Sequence, residues 1–131
     1  MQRVYHATDS VIASPFYDDL YDSVLSKGSH PNGVLGLWVS NSPTWLKGFG
    51  SNLYALDIEG TSEDLPIEEL SKLSNPRLDH EDAVEFHAAY RFQLLRRGIQ
   101  YCKVIETDGR SDMAIVCDFS AIHSWYAVPW P

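Results

Sequence analysis

Hydrophobic residues follow two different periods along this chain. Short alternating or β-rich runs predict strands at residues 3–8, 35–40, 53–60, 101–105, 113–119 and 122–128. Apolar residues spaced three and four apart predict helices from Ser14 to Gly28, from Asp64 to Leu73 and from Asp79 to Gly98. Ser42 followed by Pro43 fits an N-cap with proline at the first helical position, which predicts a short helix from about Pro43 to Gly48. Because strands and helices do not alternate regularly, this order predicts an α+β fold and argues against a regular parallel βαβ array.

The last third of the chain carries the clearest local signals. Acidic residues crowd the first turn after Asp79, and Arg96 and Arg97 lie in the last turn before Gly98. This arrangement matches the dipole of a helix at both ends. The two apolar runs that follow flank the polar, glycine-containing segment ETDGRSD, which predicts an antiparallel hairpin.

Size and charge narrow the class of protein. A chain of 131 residues predicts a single domain, residues 1–131. The formal net charge of -8, without a large Lys/Arg cluster, disfavours direct nucleic-acid binding, since phosphate neutralisation needs several basic contacts. No run approaches the roughly 18 apolar residues of a membrane span, and no signal-peptide pattern opens the chain. We therefore expect a cytoplasmic protein in which Cys102 and Cys117 are buried, reduced thiols.

Polar groups end three of the predicted strands: His6 ends the first, Ser40 the second, and Glu106 with Asp108 a later one. Scaffolds commonly present functional groups at such positions. If the strand continued through them, Glu106 and Asp108 would project to one face and could divide charge stabilisation and proton transfer. The alternative is that both are solvated residues of an Asp-Gly turn, and that His6 is a structural histidine.

The remaining candidates for a binding site are two aromatic residues and the two histidines of an acidic helix. Trp45 and Phe49, four apart on a short helix, can form a packing pair or an aromatic wall for a flat ring. His80 and His87 are seven residues apart, which is too far to share one metal ion without outside ligands. We therefore expect no metal site.

Three segments, taken in order, resemble the ADP-ribosyltransferase fold. They are VYHAT, GLWVSNSPTWLKGFGSNLYALDI and RRGIQYCKVIETDGRSDMAIVCDFSAIHS. The resemblance is to small bacterial and phage toxins or effectors, and distantly to the poly(ADP-ribose) polymerase type. It implies split antiparallel β-sheets with flanking helices.

The resemblance also implies a site for NAD+, the co-substrate of that family. His6 would hydrogen-bond the adenosine-side ribose, and the backbone of Ala7 would lie near the nicotinamide amide. Ser40 would be the polar residue that ends the second strand. Trp45 or Phe49 would stack on the nicotinamide ring.

Glu106 and Asp108 match the family's acidic position as Glu-x-Asp. There a carboxylate holds the ribose 2'-hydroxyl and stabilises an oxocarbenium-like transition state. The sequence departs from the family pattern at Ala7, where glycine is usual, and at Asp108, where glutamate is usual. Asp112 is a rival for the acidic role.

The implied function is mono-ADP-ribosyl transfer from NAD+ to a host or cellular macromolecule, with protein the favoured class, and with release of nicotinamide. A small phage or bacterial effector is the expected setting. Two alternatives stay open: a non-enzymatic acidic inhibitor or effector that binds a basic partner protein, and an NAD glycohydrolase.

Overall fold

The computed structural model describes residues 1–9, 31–73 and 77–131, and within these ranges the chain folds as α+β, as predicted. The helix predicted from Ser14 to Gly28 lies outside the described residues. The strands are β1 (Gln2–Thr8), β2 (Leu37–Ser40), β3 (Asn52–Ile58), β4 (Ser62–Pro66), β5 (Tyr101–Ile105), β6 (Met113–Val116) and β7 (Ile122–Val128). The helices are α1 (Ile67–Leu73) and α2 (His80–Arg96), with short 3₁₀ helices at Pro31–Leu35, Pro43–Leu46 and Phe119–Ala121.

All described strands join one sheet in the order β4-β5-β6-β2-β1-β3-β7. Neighbouring strands are antiparallel except β4 and β5, which are parallel. The sheet is therefore mixed, whereas the sequence analysis expected wholly antiparallel sheets. β4 and β5 can be parallel because the chain passes from β4 through α1 and α2 and crosses back before it enters β5.

The predicted helix from Asp64 begins too early. Ser62–Pro66 is an edge strand, and α1 starts only at Ile67. Leu65, which the predicted helix included, is buried opposite Val104 of the neighbouring strand, so it belongs to the sheet. Pro66 is tolerated because β4 lies at the edge of the sheet, where a residue without an N–H can be accommodated.

The sheet narrows between β1 and β2. β1 pairs with β3 along its whole length, from Gln2 opposite Ile58 to Thr8 opposite Asn52. By contrast, among the described residues the pairing of β1 with β2 consists of Tyr5 opposite Ser40. Two groups of strands, β4-β5-β6-β2 and β1-β3-β7, thus meet at a short junction.

The core lies on both faces of the sheet. On one face, Val4 and Leu56 belong to an apolar cluster that spans β1, β2, β3 and β6. On the other, Leu70 of α1 and Leu94 of α2 pack against Val104, so both helices cover this face. Cys102 and Cys117 are buried free thiols, as predicted.

The predicted ends of α2 are confirmed. The Asp79 carboxylate accepts a hydrogen bond from the Asp82 N–H at 2.8 Å, which caps the first turn. Gly98 follows the helix with φ of 75°. Within the described ranges, no helix has both the length and the apolar character needed to cross a membrane.

Candidate functional site

A cavity of about 660 Å³ lies next to the junction between β1 and β2. Its lining includes five of the residues that the sequence analysis selected, which are His6, Ala7, Trp45, Phe49 and Glu106. These residues come from β1, from the segment between β2 and β3, and from the hairpin between β5 and β6. The fold therefore brings together groups that are up to 100 positions apart in the sequence.

The aromatic wall of the cavity follows from a local capping pattern. The Ser42 hydroxyl accepts a hydrogen bond from the Thr44 N–H, and Pro43 starts the 3₁₀ helix, as the sequence predicted. Leu46 points into the core, while 48% of Trp45 and 65% of Phe49 are exposed. The two aromatic residues are thus not core residues, and they border the cavity.

His6 is held as a neutral hydrogen-bonding group. Its Nδ1 lies 2.7 Å from the carbonyl oxygen of Trp38, and because a carbonyl only accepts, Nδ1 carries the proton in the neutral ring. Burial lowers the pKa of His6, and this effect outweighs the opposing effect of the hydrogen bond to Trp38. The remaining ring nitrogen, Nε2, is then an acceptor.

The hairpin between β5 and β6 separates the two acidic residues of the Glu-x-Asp pattern. β5 ends at Ile105, so the strand does not continue through Glu106 and Asp108, and they do not share a strand face. A turn begins instead, with the Glu106 N–H donating to the Arg110 carbonyl at 2.8 Å and Gly109 at φ of 87°. Glu106 lines the cavity, whereas Asp108 does not belong to the lining.

The carboxylate of Asp108 is paired with Arg110. It accepts from the Arg110 backbone N–H at 3.0 Å and lies 2.8 Å from Arg110 Nε. These contacts, led by the backbone hydrogen bond, lower the pKa of Asp108. Among the described residues, no ion pair involves the carboxylate of Glu106.

Ser40 is not among the lining residues of this cavity, and its hydroxyl bonds to neighbouring backbone groups. The hydroxyl donates to the Asp112 carbonyl at 3.0 Å and accepts from the Ser42 N–H at 3.2 Å. Asn41 N–H donates to the same carbonyl at 2.9 Å. Ser40 is buried and borders a second cavity of about 210 Å³. It joins the end of β2 to the start of β6 and so positions Asp112.

Asp112 and Arg110 are the two charged lining residues that the sequence reasoning did not select for the site. Asp112 was noted only as a rival acid. Arg110 lies with its guanidinium carbon 5.8 Å from the centre of the Trp45 ring and with Nη1 3.8 Å from the Asp112 carboxylate. The sequence feature that could have identified Arg110 as a lining residue is its position just after Gly109, because a tight turn brings that residue back toward the preceding strand.

Trp38 of β2 is also a lining residue. It is half-buried, and its indole N–H donates to the Asn32 carbonyl at 3.1 Å. Its neighbours in β2, Leu37 and Val39, are fully buried on the opposite face of the sheet. The alternation of the strand thus turns Trp38 toward the cavity.

The cavity combines an apolar aromatic wall, a neutral histidine acceptor and two carboxylates, a set suited to a ligand with a flat ring and hydroxyl groups. The described residues contain no cluster of three potential metal ligands. The chain matches no protein-family model, no curated protein and no solved structure. The case for a function consequently depends on the geometry of this cavity.

Proposed function

We propose that the chain is a mono-ADP-ribosyltransferase that transfers ADP-ribose from NAD+ to a macromolecular target, with protein as the target class. The supporting observation is that His6, Ala7, Trp45, Phe49 and Glu106 line one cavity. Its volume of about 660 Å³ is within the range of roughly 300–1,000 Å³ that is usual for small-molecule sites. The finer fold assignment, an ADP-ribosyltransferase-like split sheet, is supported by the single described residue pair between β1 and β2.

Each lining residue has a role that suits its environment. The neutral ring of His6 accepts a hydrogen bond from a ribose hydroxyl through Nε2. Trp45 or Phe49 stacks on the nicotinamide ring, because both present exposed aromatic surface beside the cavity. The backbone of Ala7 lies beside the same space and contacts the nicotinamide amide.

The acidic residues act on the reacting ribose. The glycosidic C1'–N bond breaks, its electron pair neutralises the pyridinium nitrogen of departing nicotinamide, and positive charge develops on the ribose. The Glu106 carboxylate, which has no ion pair among the described residues, stabilises that charge and holds the 2'-hydroxyl. The target nucleophile then bonds to C1' and loses its proton to solvent. Asp112 adds negative charge on the same lining, whereas Asp108 acts through Arg110.

The test is incubation of the protein with NAD+ labelled on its adenylate part and with a cell lysate, followed by measurement of nicotinamide release and of label on macromolecules. We expect E106Q to reduce nicotinamide release by about 10²–10³-fold, as loss of a preorganised charge-stabilising group does elsewhere. E68Q, on the exposed first turn of α1, is the matched control and should keep wild-type activity. Absence of both nicotinamide release and transferred label from the wild-type protein would reject the proposal.

The same site supports an NAD glycohydrolase if water replaces the target nucleophile. Free ADP-ribose as the sole labelled product, at every lysate concentration, would identify that reaction. A non-enzymatic acidic effector is a further candidate, supported by the formal net charge of -8. It predicts salt-sensitive binding to a basic partner that persists in the E106A/D108A double variant, without consumption of NAD+.

A further inference from the structure

Arg110 is the one cation among the described residues that line the main cavity. Its guanidinium carbon lies 5.8 Å from the centre of the Trp45 ring, a separation at which a cation is attracted to an aromatic face. Nε lies 2.8 Å from the Asp108 carboxylate, and Nη1 lies 3.8 Å from that of Asp112. One aromatic face and two carboxylates thus surround a single guanidinium.

The side chain of Arg110 is not needed to hold the turn in which it lies. The turn is closed by backbone groups, since the Glu106 N–H donates to the Arg110 carbonyl and the Arg110 N–H donates to Asp108. The side chain is 57% exposed, as is that of Asp108. Exposed ion pairs and exposed cation–π contacts are individually weak, so a group of the same chemistry from solution can replace this guanidinium.

We propose that Arg110 is an internal ligand of the cavity: its guanidinium fills a cation site formed by Trp45, Asp108 and Asp112, and a guanidinium group from another molecule competes with it. The ligand class is therefore an arginine side chain, free or in a polypeptide. The inference does not depend on NAD+ chemistry, because it follows from the contacts of Arg110 alone. Competition means that the apparent affinity for the outside ligand is reduced by the fraction of molecules in which Arg110 occupies the site.

The experiment is a titration of the protein with N-acetyl-arginine amide, and separately with N-acetyl-citrulline amide, in the absence of NAD+. Citrulline has nearly the shape of arginine but no charge, so it tests the electrostatic part of recognition. The reporter is the indole N–H resonance of Trp45 in a proton–nitrogen NMR spectrum, assigned by its loss in the W45F variant. We expect blocked arginine to shift this resonance with millimolar affinity and blocked citrulline to leave it unmoved.

R110Q removes the competing guanidinium, and we expect it to bind blocked arginine about fivefold more tightly than the wild type. R3Q is the matched control. Arg3 likewise pairs with an aspartate, Asp57, at 2.7 Å and lies over an aromatic ring, Tyr126, but it is not part of the cavity lining. The affinity of R3Q should equal that of the wild type.

Equal affinities of R110Q and the wild type would overturn the proposal, and so would weaker binding by R110Q or equal binding of arginine and citrulline. Circular dichroism checks that R110Q is folded. If it is not, R110K serves instead: it keeps the charge but lacks the planar guanidinium, and it should give a smaller gain in affinity. Because the titration contains no NAD+, its failure leaves the transferase proposal standing, and failure of nicotinamide release leaves this proposal standing.

Discussion

At the scale of single residues, His6 links the core to the cavity. Its ring lies 6.1 Å from that of Trp125, which in turn stacks on Tyr54 at 4.4 Å. The same ring donates to the Trp38 carbonyl and lines the cavity, so one side chain supports packing and offers an acceptor to a ligand. Both roles need the neutral ring, and protonation of His6 therefore opposes folding and places a charge on the acceptor nitrogen.

His6 predicts that the protein loses stability as the pH falls below about 6.5. Its pKa is lower in the folded than in the unfolded chain, so the unfolded chain binds the extra proton between these two values. The contribution of His6 is thus fully present above the unfolded-state pKa and is lost as the pH falls toward the folded-state pKa. The slope from this one proton is at most about 1.4 kcal/mol per pH unit.

Urea unfolding at several pH values between pH 5 and pH 7.5 measures how the free energy of unfolding depends on pH. H6N keeps a donor for the Trp38 carbonyl but does not titrate, so its free energy of unfolding should fall less than that of the wild type. H123N replaces an exposed histidine of β7 and should follow the wild type. Equal pH dependence of H6N and the wild type would contradict the role given to His6.

The sequence could select five of the twelve lining residues, because strand ends and the Ser-Pro segment are places where functional side chains are commonly presented. It could not determine which groups form hydrogen bonds with the side chains of Ser40 and Asp108. Ser40 bonds to a residue 72 positions away, and Asp108 pairs with Arg110 through a turn whose path depends on Gly109. Such choices depend on tertiary contacts and turn geometry, which residue spacing does not contain.

At the scale of elements, β2 positions the cavity wall by a close approach to β6. Gly36 precedes β2 with φ of 153°, and a Cβ at this position would collide with the carbonyl oxygen of Val116. Leu37 then pairs with Val116, and Trp38, one residue further, lines the cavity. The strand itself could be predicted from its apolar pattern, but the strand Ser62–Pro66 could not, because its stabilising partner is β5, some 40 residues later.

G36A should lower the free energy of unfolding by about 3 kcal/mol, because the added methyl group meets backbone atoms that cannot rotate away. Urea unfolding monitored by circular dichroism gives this value. G98A is the matched control: Gly98 also has positive φ, but a Cβ there meets no atom within 4 Å among the described residues, so the cost should be about 1 kcal/mol. Equal costs at the two glycines would show that the contact with Val116 does not constrain β2.

At the scale of the whole molecule, the cavity spans the narrowest part of the sheet. His6 and Ala7 belong to the group β1-β3-β7, whereas Trp38 and Met113 belong to the group β4-β5-β6-β2. Among the described residues, Tyr5 opposite Ser40 is the pair that joins β1 to β2. A ligand that contacts both walls therefore adds interactions where the backbone pairing is shortest.

If NAD+ binds in this cavity, it should slow amide hydrogen exchange most at the junction, in residues 5–8 and 38–40. At ten times its dissociation constant, a ligand that must leave before the junction opens slows exchange there by about tenfold. Hydrogen exchange with mass spectrometry, with and without NAD+, measures the change for each peptide. The helix α1 contributes no residue to the cavity lining and should keep its exchange rate. Protection of α1 without protection of the junction would mean that NAD+ binds elsewhere and that the cavity does not join the two groups of strands.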